Sequence, residues 1–378
     1  MERRIKILNM NISFVMAVYN NLAITTECYK QLRKVYPTAP LVISSGGSSD
    51  GTKEWLESLE DVNLSFIHDD DQLPFSNTYN AGIKLVDTEK LVLIHNDMVI
   101  GKGFLEALEE DLDEKSILCY TTIEPPIFAG HSRPGKIILD LGNTFMDFNY
   151  GMFDEFVQQN STKKNIDEGA SFFMSGYKKS FEDIGYFDGY SFFPMFCEDD
   201  DFLIRAKLKG YDLKTTSKAL TYHFVSQTSR FGKDFKDKRM INELNSNRNF
   251  IRKWGIPSSV FTEIRYWEDE KFTYKTFNMG LTTRNKTKLA TVEPFFDKID
   301  LGEIPEDYIN LQQPTTNYDL RSKFLLTDTV DVMIYEKGVG FTNEDLMTLY
   351  KIRLSLPHYE PGEYEIGNMK IEIRKELN

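Results

Sequence analysis

Three polar residues stand at the exit of an apolar run in "KLVLIHNDMVIGKGFLEAL": His95, Asn96 and Asp97. Leu91 to Ile94 reads as a buried strand, and Gly103 to Leu108 as the start of a helix. A carboxylate at a strand end is well placed to hold Mg2+ or Mn2+ on a nucleoside diphosphate. Hard oxygen donors suit these ions, and the ion neutralises a departing diphosphate. The competing reading is a turn cap at the strand exit. A second cluster, "CEDDDF", puts Glu198, Asp199, Asp200 and Asp201 at the start of a predicted helix that runs to Lys209 and ends at Gly210. Negative charge suits a helix start, so capping explains some of these acids. Consecutive carboxylates also repel one another, which raises one pKa as a general base requires. His223 follows a short predicted strand, Ala219 to Tyr222, and is either a satisfied structural histidine or a ligand. Arg230 and Lys233 follow it; they could meet a diphosphate or face solvent.

The loop "SSGGSSDGT" is rich in glycine and hydroxyls. It lacks the lysine of a GxxxxGK[ST] phosphate loop and the spacing of a GxGxxG dinucleotide fingerprint, which argues against an ATPase or a dinucleotide oxidoreductase.

Strands and helices must hold these groups in place. Ile12 to Val18 reads as a strand broken by "YNN", Ala23 to Val35 as a helix, and Leu41 to Ser44 as a short strand. Asp50 or Ser49 is positioned to cap a helix over Lys53 to Leu59. Leu64 to His68 is a further strand and Thr78 to Val86 a further helix. This alternation predicts an α/β fold with a mostly parallel central sheet and helices on both faces. Ligands of such sheets bind beyond the carboxyl ends of the strands. Three polar loops lie at such ends: Tyr19-Asn20, Ser44 to Asp50, and His95 to Asp97. Gly130 to Asn165 is expected to form irregular loops and short strands lining an acceptor site. The expected boundary lies near residue 265: a first domain over 1–265 and a small C-terminal α/β region over 266–378. In that region "TVDVMIYEKG" reads as a strand, "TNEDLMTLYKIRLSL" as a helix capped by Thr342, and "GEYEIGNMKIEIRKEL" as a hairpin.

Composition narrows the function classes. The chain has 378 residues, 41% hydrophobic and 27% charged, as expected of a soluble globular protein. Its 28 Phe and 19 Tyr argue for packed cores and against disorder. The net charge of −13 opposes general adhesion to nucleic acid or anionic membrane; only the stretch Lys233 to Arg239 is locally basic. No apolar run is long enough for a membrane span, and the N-terminus reads as a first strand and not a signal peptide. Cys28, Cys119 and Cys197 are odd in number and far apart, which predicts a reduced, cytoplasmic chain (host cytoplasm if viral) without disulfides or a zinc site.

The ordered set "AVYNN", "SSGGSSDGT", "NTYNAGI", "LVLIHNDMVIGKGFLEAL", "GYFDGYSFFPMFCEDDDFLIRAKLKGYDL" and "YHF" resembles the family 2 glycosyltransferases of the GT-A fold over about residues 10 to 225. The resemblance implies roles. His95-Asn96-Asp97 matches the family's Asp-x-Asp variant: Asp97 would bind metal and diphosphate, with Asn96 among the donor-binding residues. His223 matches a metal ligand. Asp199, beside Glu198, matches the general base that deprotonates the acceptor hydroxyl. Ala17, Tyr19 and Asn20 match the loop around the nucleotide base, and Asn80 and Gly82 the stretch near ribose and donor sugar. The implied reaction is an inverting transfer from a nucleoside-diphosphate sugar, with Mn2+ or Mg2+ and no covalent sugar–enzyme intermediate. Two positions depart from the pattern. Ser45 stands where relatives carry an acid that contacts uracil, which leaves UDP the leading carrier without the charge. His95 replaces an acid or Asn; it would favour Mn2+ as a direct ligand, and is expected instead to pack or bond locally. The acceptor stays open: the lack of a membrane segment permits a glycan, a small molecule, a protein or hydroxymethylated viral DNA. The competing function is a non-catalytic sugar-nucleotide or glycan-binding module on the same fold. Asp97, Asp199 and His223 all being present favours the enzyme.

Overall fold

Strand β1 (Ile12–Val18) has all seven side chains buried. Such a strand needs cover on both faces, which helices flanking a parallel sheet provide. Ile12, Phe14, Val15 and Met16 are fully buried, and each contributes about 1.5–3 kcal/mol relative to exposure. The computed structural model describes residues 11–128, 133–161, 166–169, 171–225, 237–260, 275–325, 329–338 and 340–377. Two compact units form, Met1–Gly189 with Glu198–Met240, and Tyr190–Cys197 with Ile241–Asn378.

In the first unit the chain continues through α1 (Leu22–Val35), β2 (Leu41–Gly46), α2 (Thr52–Glu57), β3 (Leu64–Asp69), α3 (Phe75–Leu85), β4 (Lys90–Ile94), β5 (Met98–Ile100) and α4 (Phe104–Asp111). Then follow β6 (Ser116–Glu124), β7 (Lys136–Ile138), α5 (Tyr150–Asn160), β8 (Ile166–Glu168), β9 (Met174–Tyr177), α6 (Lys178–Ile184), α7 (Glu198–Leu208) and β10 (Asp212–His223). The sheet runs β3-β2-β1-β4-β9-β6-β10-β5, with β7 on β6 and β8 on β10. Seven of its ten strands run one way; β5, β8 and β9 are antiparallel to their neighbours. The mostly parallel α/β class expected from the alternation is what forms.

Two local expectations are corrected. Asp50 does not cap the helix that follows it. Gly51 holds the N-cap of α2 at φ 91° without a side-chain cap bond. The Asp50 carboxylate instead accepts from Leu22 N–H at 2.8 Å, capping α1, and from the Thr52 hydroxyl at 2.5 Å. The Gly130 to Asn165 stretch is not only loops and short strands, because it contains α5. Asn149 caps that helix by accepting from Met152 N–H at 3.1 Å, and Phe153 and Val157 bury one face at a helical i, i+4 spacing.

The second unit contains most of α8 (Arg239–Trp254), then β11 (Met279–Thr282), α9 (Leu289–Val292), β12 (Lys298–Asp300), α10 (Glu306–Gln312), α11 (Leu320–Lys323), β13 (Val332–Glu336), α12 (Asn343–Ser355), β14 (Gly362–Ile366) and β15 (Met369–Ile373). Its sheet is β12-β11-β13-β15-β14, with β11, β12 and β13 parallel and a β14–β15 hairpin. Thr342 and Asp345 form the expected reciprocal cap on α12. Glu293 is wholly buried and is compensated by Arg252 at 2.6 Å and Lys323 at 2.6 Å. Among the described residues, no helix is long and apolar enough to cross a membrane.

Candidate functional site

Strand β4 brings Leu91 to Ile94 through the core with no exposed surface and releases the chain at His95. The turn over His95, Asn96 and Asp97 leads into β5, which pairs antiparallel with the end of β10 so that Met98 lies opposite His223. Phe224 N–H donates to the Asp97 carbonyl at 3.0 Å and extends this ladder by one bond. Two strand ends distant in sequence are thereby clamped side by side.

Three side chains converge there. His95 Nδ1 is 3.2 Å from His223 Nε2, which is 3.2 Å from Asp97 Oδ1, and His95 Nδ1 is 3.9 Å from that oxygen. Together they form a group that could hold a metal ion. Asp97 and His223 are each 4% exposed. The His95 ring packs among Phe75, Phe172 and Phe173, with centroids 5.9, 4.8 and 5.4 Å away. His95 thus packs locally, as expected, and also faces the other two groups.

The electrostatics separate the two imidazoles. Burial and then the neighbouring His223 charge push His95 down to about 3. Burial opposes charge on His223 as well, but Asp97 and Glu124 outweigh it and push the ring up to about 9. The pair therefore consists of a neutral His95 accepting at Nδ1 from a charged His223. This assignment places the His95 proton on Nε2, a buried atom without a hydrogen-bond partner among the described residues. Burial works against the Glu124 carboxylate too, yet His223, Arg133 and Lys136 hold it well below the usual carboxylate range.

The acidic helix start is divided between roles. Asp201 is wholly buried and pairs with Arg205 at 2.8 Å, while Arg205 also donates to the carbonyls of Ile184 and Tyr186. Asp201 is thus structural. Glu198 and Asp200 are buried and Asp199 is half-buried. Tyr79 feels the charge of both this end and the metal-type cluster. Its hydroxyl donates to the Ile94 carbonyl at 2.8 Å, and burial, with Asp97 and Glu198 adding to it, holds the phenol well above its ordinary range. A hydrogen bond with the backbone of Ala17 opposes this rise.

Other residues singled out in the sequence form the loop lattice at the ends of β1, β2 and β3. The sheet register sets Val18, Ser45 and His68 in one row. Asn20 N–H donates to Ser48 Oγ at 2.9 Å, its side-chain oxygen accepts from Ser49 N–H at 2.8 Å, and Ser45 donates to Ser48 at 2.9 Å. His68 Nδ1 lies 3.0 Å from the Ser45 hydroxyl. Ala17 is buried and Tyr19 half-buried beside this row.

Three residues have side chains or surroundings committed to the fold. Asn80 accepts from Phe187 N–H at 2.9 Å and donates to its carbonyl at 2.8 Å. A Cβ on Gly82 would lie 2.8 Å from Val15 Cγ1 and 3.3 Å from Ser44 Cβ, so this glycine sets how closely α3 meets the sheet. Asn96 donates to the Thr25 hydroxyl at 2.9 Å and fastens the turn to α1. Arg230 and Lys233 lie outside the described residues. Sequence reasoning passed over Glu124, His68 and Arg133. The available signal for the first two was their place at the carboxyl ends of strands.

Residues 13–185 match the family model described as Glycosyl transferase family 2. No curated protein matches the chain. Among solved structures, residues 1–349 of S. aureus TarS are similar at 16% identity, covering 64% of this chain and 73% of that one, with a TM-score of 0.41. Against the longer S. aureus TarS structure, the likeness spans 43% of that chain. The mannosyltransferase PcManGT from Pyrobaculum calidifontis, solved with GDP-Man and Mn2+, is similar at 15% identity over 68% of each chain, with a TM-score of 0.44.

Proposed function

For a chain whose residues 13–185 match the model of glycosyl transferase family 2, we propose a metal-dependent, inverting transfer of a sugar from a nucleoside-diphosphate sugar to an acceptor hydroxyl. The observation that carries this reading is the His95–Asp97–His223 triangle at the exit of β4. Two ligand atoms bound to one ion at about 2.1 Å lie about 3.0–3.4 Å apart at octahedral or tetrahedral angles. Two edges, both 3.2 Å, fall in that range, and the third, His95 Nδ1 to Asp97 Oδ1 at 3.9 Å, is longer. The buried lone pairs of His95 Nδ1 and Asp97 already face the shared point, and His223 Nε2 joins them once it gives up its proton. Two imidazoles with one carboxylate favour Mn2+ over Mg2+. Bound there, the ion would supply positive charge against the diphosphate.

The chain's own residues do the rest. Asp199 takes the proton of the acceptor hydroxyl, and that oxygen displaces the nucleoside diphosphate from the anomeric carbon in one in-line step. Glu198, buried beside Asp199, keeps the helix start negative. Ala17, Tyr19, Asn20 and Ser45 form the base-binding side, where the neutral hydroxyl and amide groups suit a uracil ring, so UDP is the first carrier to try. Asn80, Gly82 and Asn96 support the donor side through the fold. The acceptor we favour is a glycan or small molecule; the charge of −13 argues against hydroxymethylated DNA. The three free cysteines suit a location in the cytoplasm.

A thermal-shift panel of UDP, GDP, CDP and dTDP sugars, each with Mn2+ or EDTA, tests the reading. A ligand at about 100 times its dissociation constant stabilises by roughly 2.7 kcal/mol. A shift that needs both one nucleotide and the metal supports the proposal. A shift unchanged by EDTA would remove the metal, and binding without turnover on any acceptor would favour the binding module.

A further inference from the structure

We propose that Glu124 positions His223: its carboxylate, anchored by Arg133, Thr122 and Lys136, orients the imidazole so that Nε2 faces Asp97 and His95. The inference rests on the metal reading above and assigns a residue that the sequence did not single out. Strands β6 and β10 are parallel neighbours with Ile123 opposite Tyr222, so their last residues, Glu124 and His223, come side by side at the strand ends. Glu124 is 4% exposed. Its Oε1 accepts from Arg133 at 2.6 Å and from the Thr122 hydroxyl at 2.9 Å, and its Oε2 lies 3.3 Å from Lys136 Nζ. Arg133 is itself fixed, donating to the carbonyls of Pro134 and Gly135 and lying 4.5 Å over the Phe173 ring. Phe173 in turn meets the His223 ring edge to face at 5.1 Å.

The far nitrogen of His223 completes the argument. Nδ1 is buried, has no hydrogen-bond partner among the described residues, and lies 3.6 Å from Glu124 Oε1. That distance is too long for a hydrogen bond and short enough for an ion-pair contact, so the carboxylate acts on the ring through charge. A histidine whose outer N–H points at a carboxylate presents the other nitrogen, in a fixed orientation, to a metal. The competing explanation is that Glu124 only neutralises Arg133 and Lys136.

The test measures Mn2+ affinity across pH by electron paramagnetic resonance, taken at the limit where His223 has lost its proton, and the absorption bands of bound Co2+. It uses the full chain, with no sugar nucleotide, in wild type, Asp97→Asn, Glu124→Gln and Thr122→Val. Glu124→Gln is isosteric and should lower Mn2+ affinity about 10–100-fold, the usual cost of losing such a supporting partner, and should shift the Co2+ bands. Should Glu124→Gln fail to fold, Thr122→Val, which removes one bond to Oε1, should lower affinity by a smaller factor. A folded Glu124→Gln with wild-type Mn2+ affinity would overturn the positioning role while leaving the metal reading intact, provided Asp97→Asn loses binding. If Glu124→Gln does not fold, wild-type affinity in Thr122→Val overturns it likewise. A wild type that binds neither ion overturns both.

Discussion

Raising the pH from 6.5 to 8.5 should tighten Mn2+ binding on the order of 100-fold, about tenfold per unit. The perturbation acts through His223, which Asp97 and Glu124, against the opposing effect of burial, push up to about 9. An ion can take the Nε2 lone pair only from a ring that has lost its proton. At pH 7 a group of pKa about 9 is deprotonated in roughly one molecule in a hundred, and the apparent affinity falls by the same factor. His95 adds no slope in this window because it is already neutral, held down to about 3 by burial and by His223. The stability of the metal-free chain should follow the same two rings with opposite signs. The folded His223 pKa lies above its unfolded value, so its contribution is complete below about pH 6.5 and is lost as pH rises through about 9. The folded His95 pKa lies below its unfolded value, so stability is lost as pH falls from about 6.5 towards about 3. This pair therefore favours a stability maximum near neutrality. Calorimetric titration with Mn2+, without oxygen and in buffers of different ionisation enthalpy, gives affinity and protons released together. About one proton should leave per ion bound at pH 7.5. Affinity that stays flat across the range, with no proton released, refutes the exchange of proton for metal on His223.

Other outcomes are expected elsewhere. Asp199→Asn should lower the transfer rate by about 10²–10⁴ while leaving the donor dissociation constant nearly unchanged; full turnover removes Asp199 as the base. Asn80→Ala strands both backbone groups of Phe187 and should cost about 2–4 kcal/mol in urea unfolding, and a loss below about 1 kcal/mol contradicts the clasp. Gly82→Ala drives a methyl against Val15 and should destabilise by about 1–3 kcal/mol without changing donor affinity; weakened donor binding at full stability would return Gly82 to the substrate side. Glu293→Gln leaves Arg252 and Lys323 uncompensated in the interior of the second unit and should cost about 3–5 kcal/mol, which a melting curve measures directly.

What could be read in advance was whatever depends on near neighbours in the chain. Leu91 to Ile94 announces a buried strand by its own composition, and Thr342 announces a cap because its partner Asp345 is three residues away. The α5 helix was hidden by Gly151 and by the density of aromatics around Phe153, although Asn149 was in place as a cap. Asp50 looked like the cap of its own helix because the competitor for its carboxylate, Leu22 N–H, is 28 residues away. Glu124 could not be connected with His223 from sequence, since their meeting depends on β6 and β10 being neighbours in the sheet. Asn80 has the residue type of a ligand-binding amide, yet its partner Phe187 lies 107 residues further on. The sites of polar residues were legible, but their partners were not, because partners are chosen by tertiary structure.

The short ladder between β5 and β10 has a consequence in time. Its last bond, Phe224 N–H to the Asp97 carbonyl, joins the strand that carries one candidate ligand to the strand that carries another. Any fluctuation that parts these strand ends also parts His223 from Asp97. An ion held by both would then have a dwell time bounded by the opening rate of a three-pair ladder. The exchange of one amide hydrogen with solvent would run on the same clock.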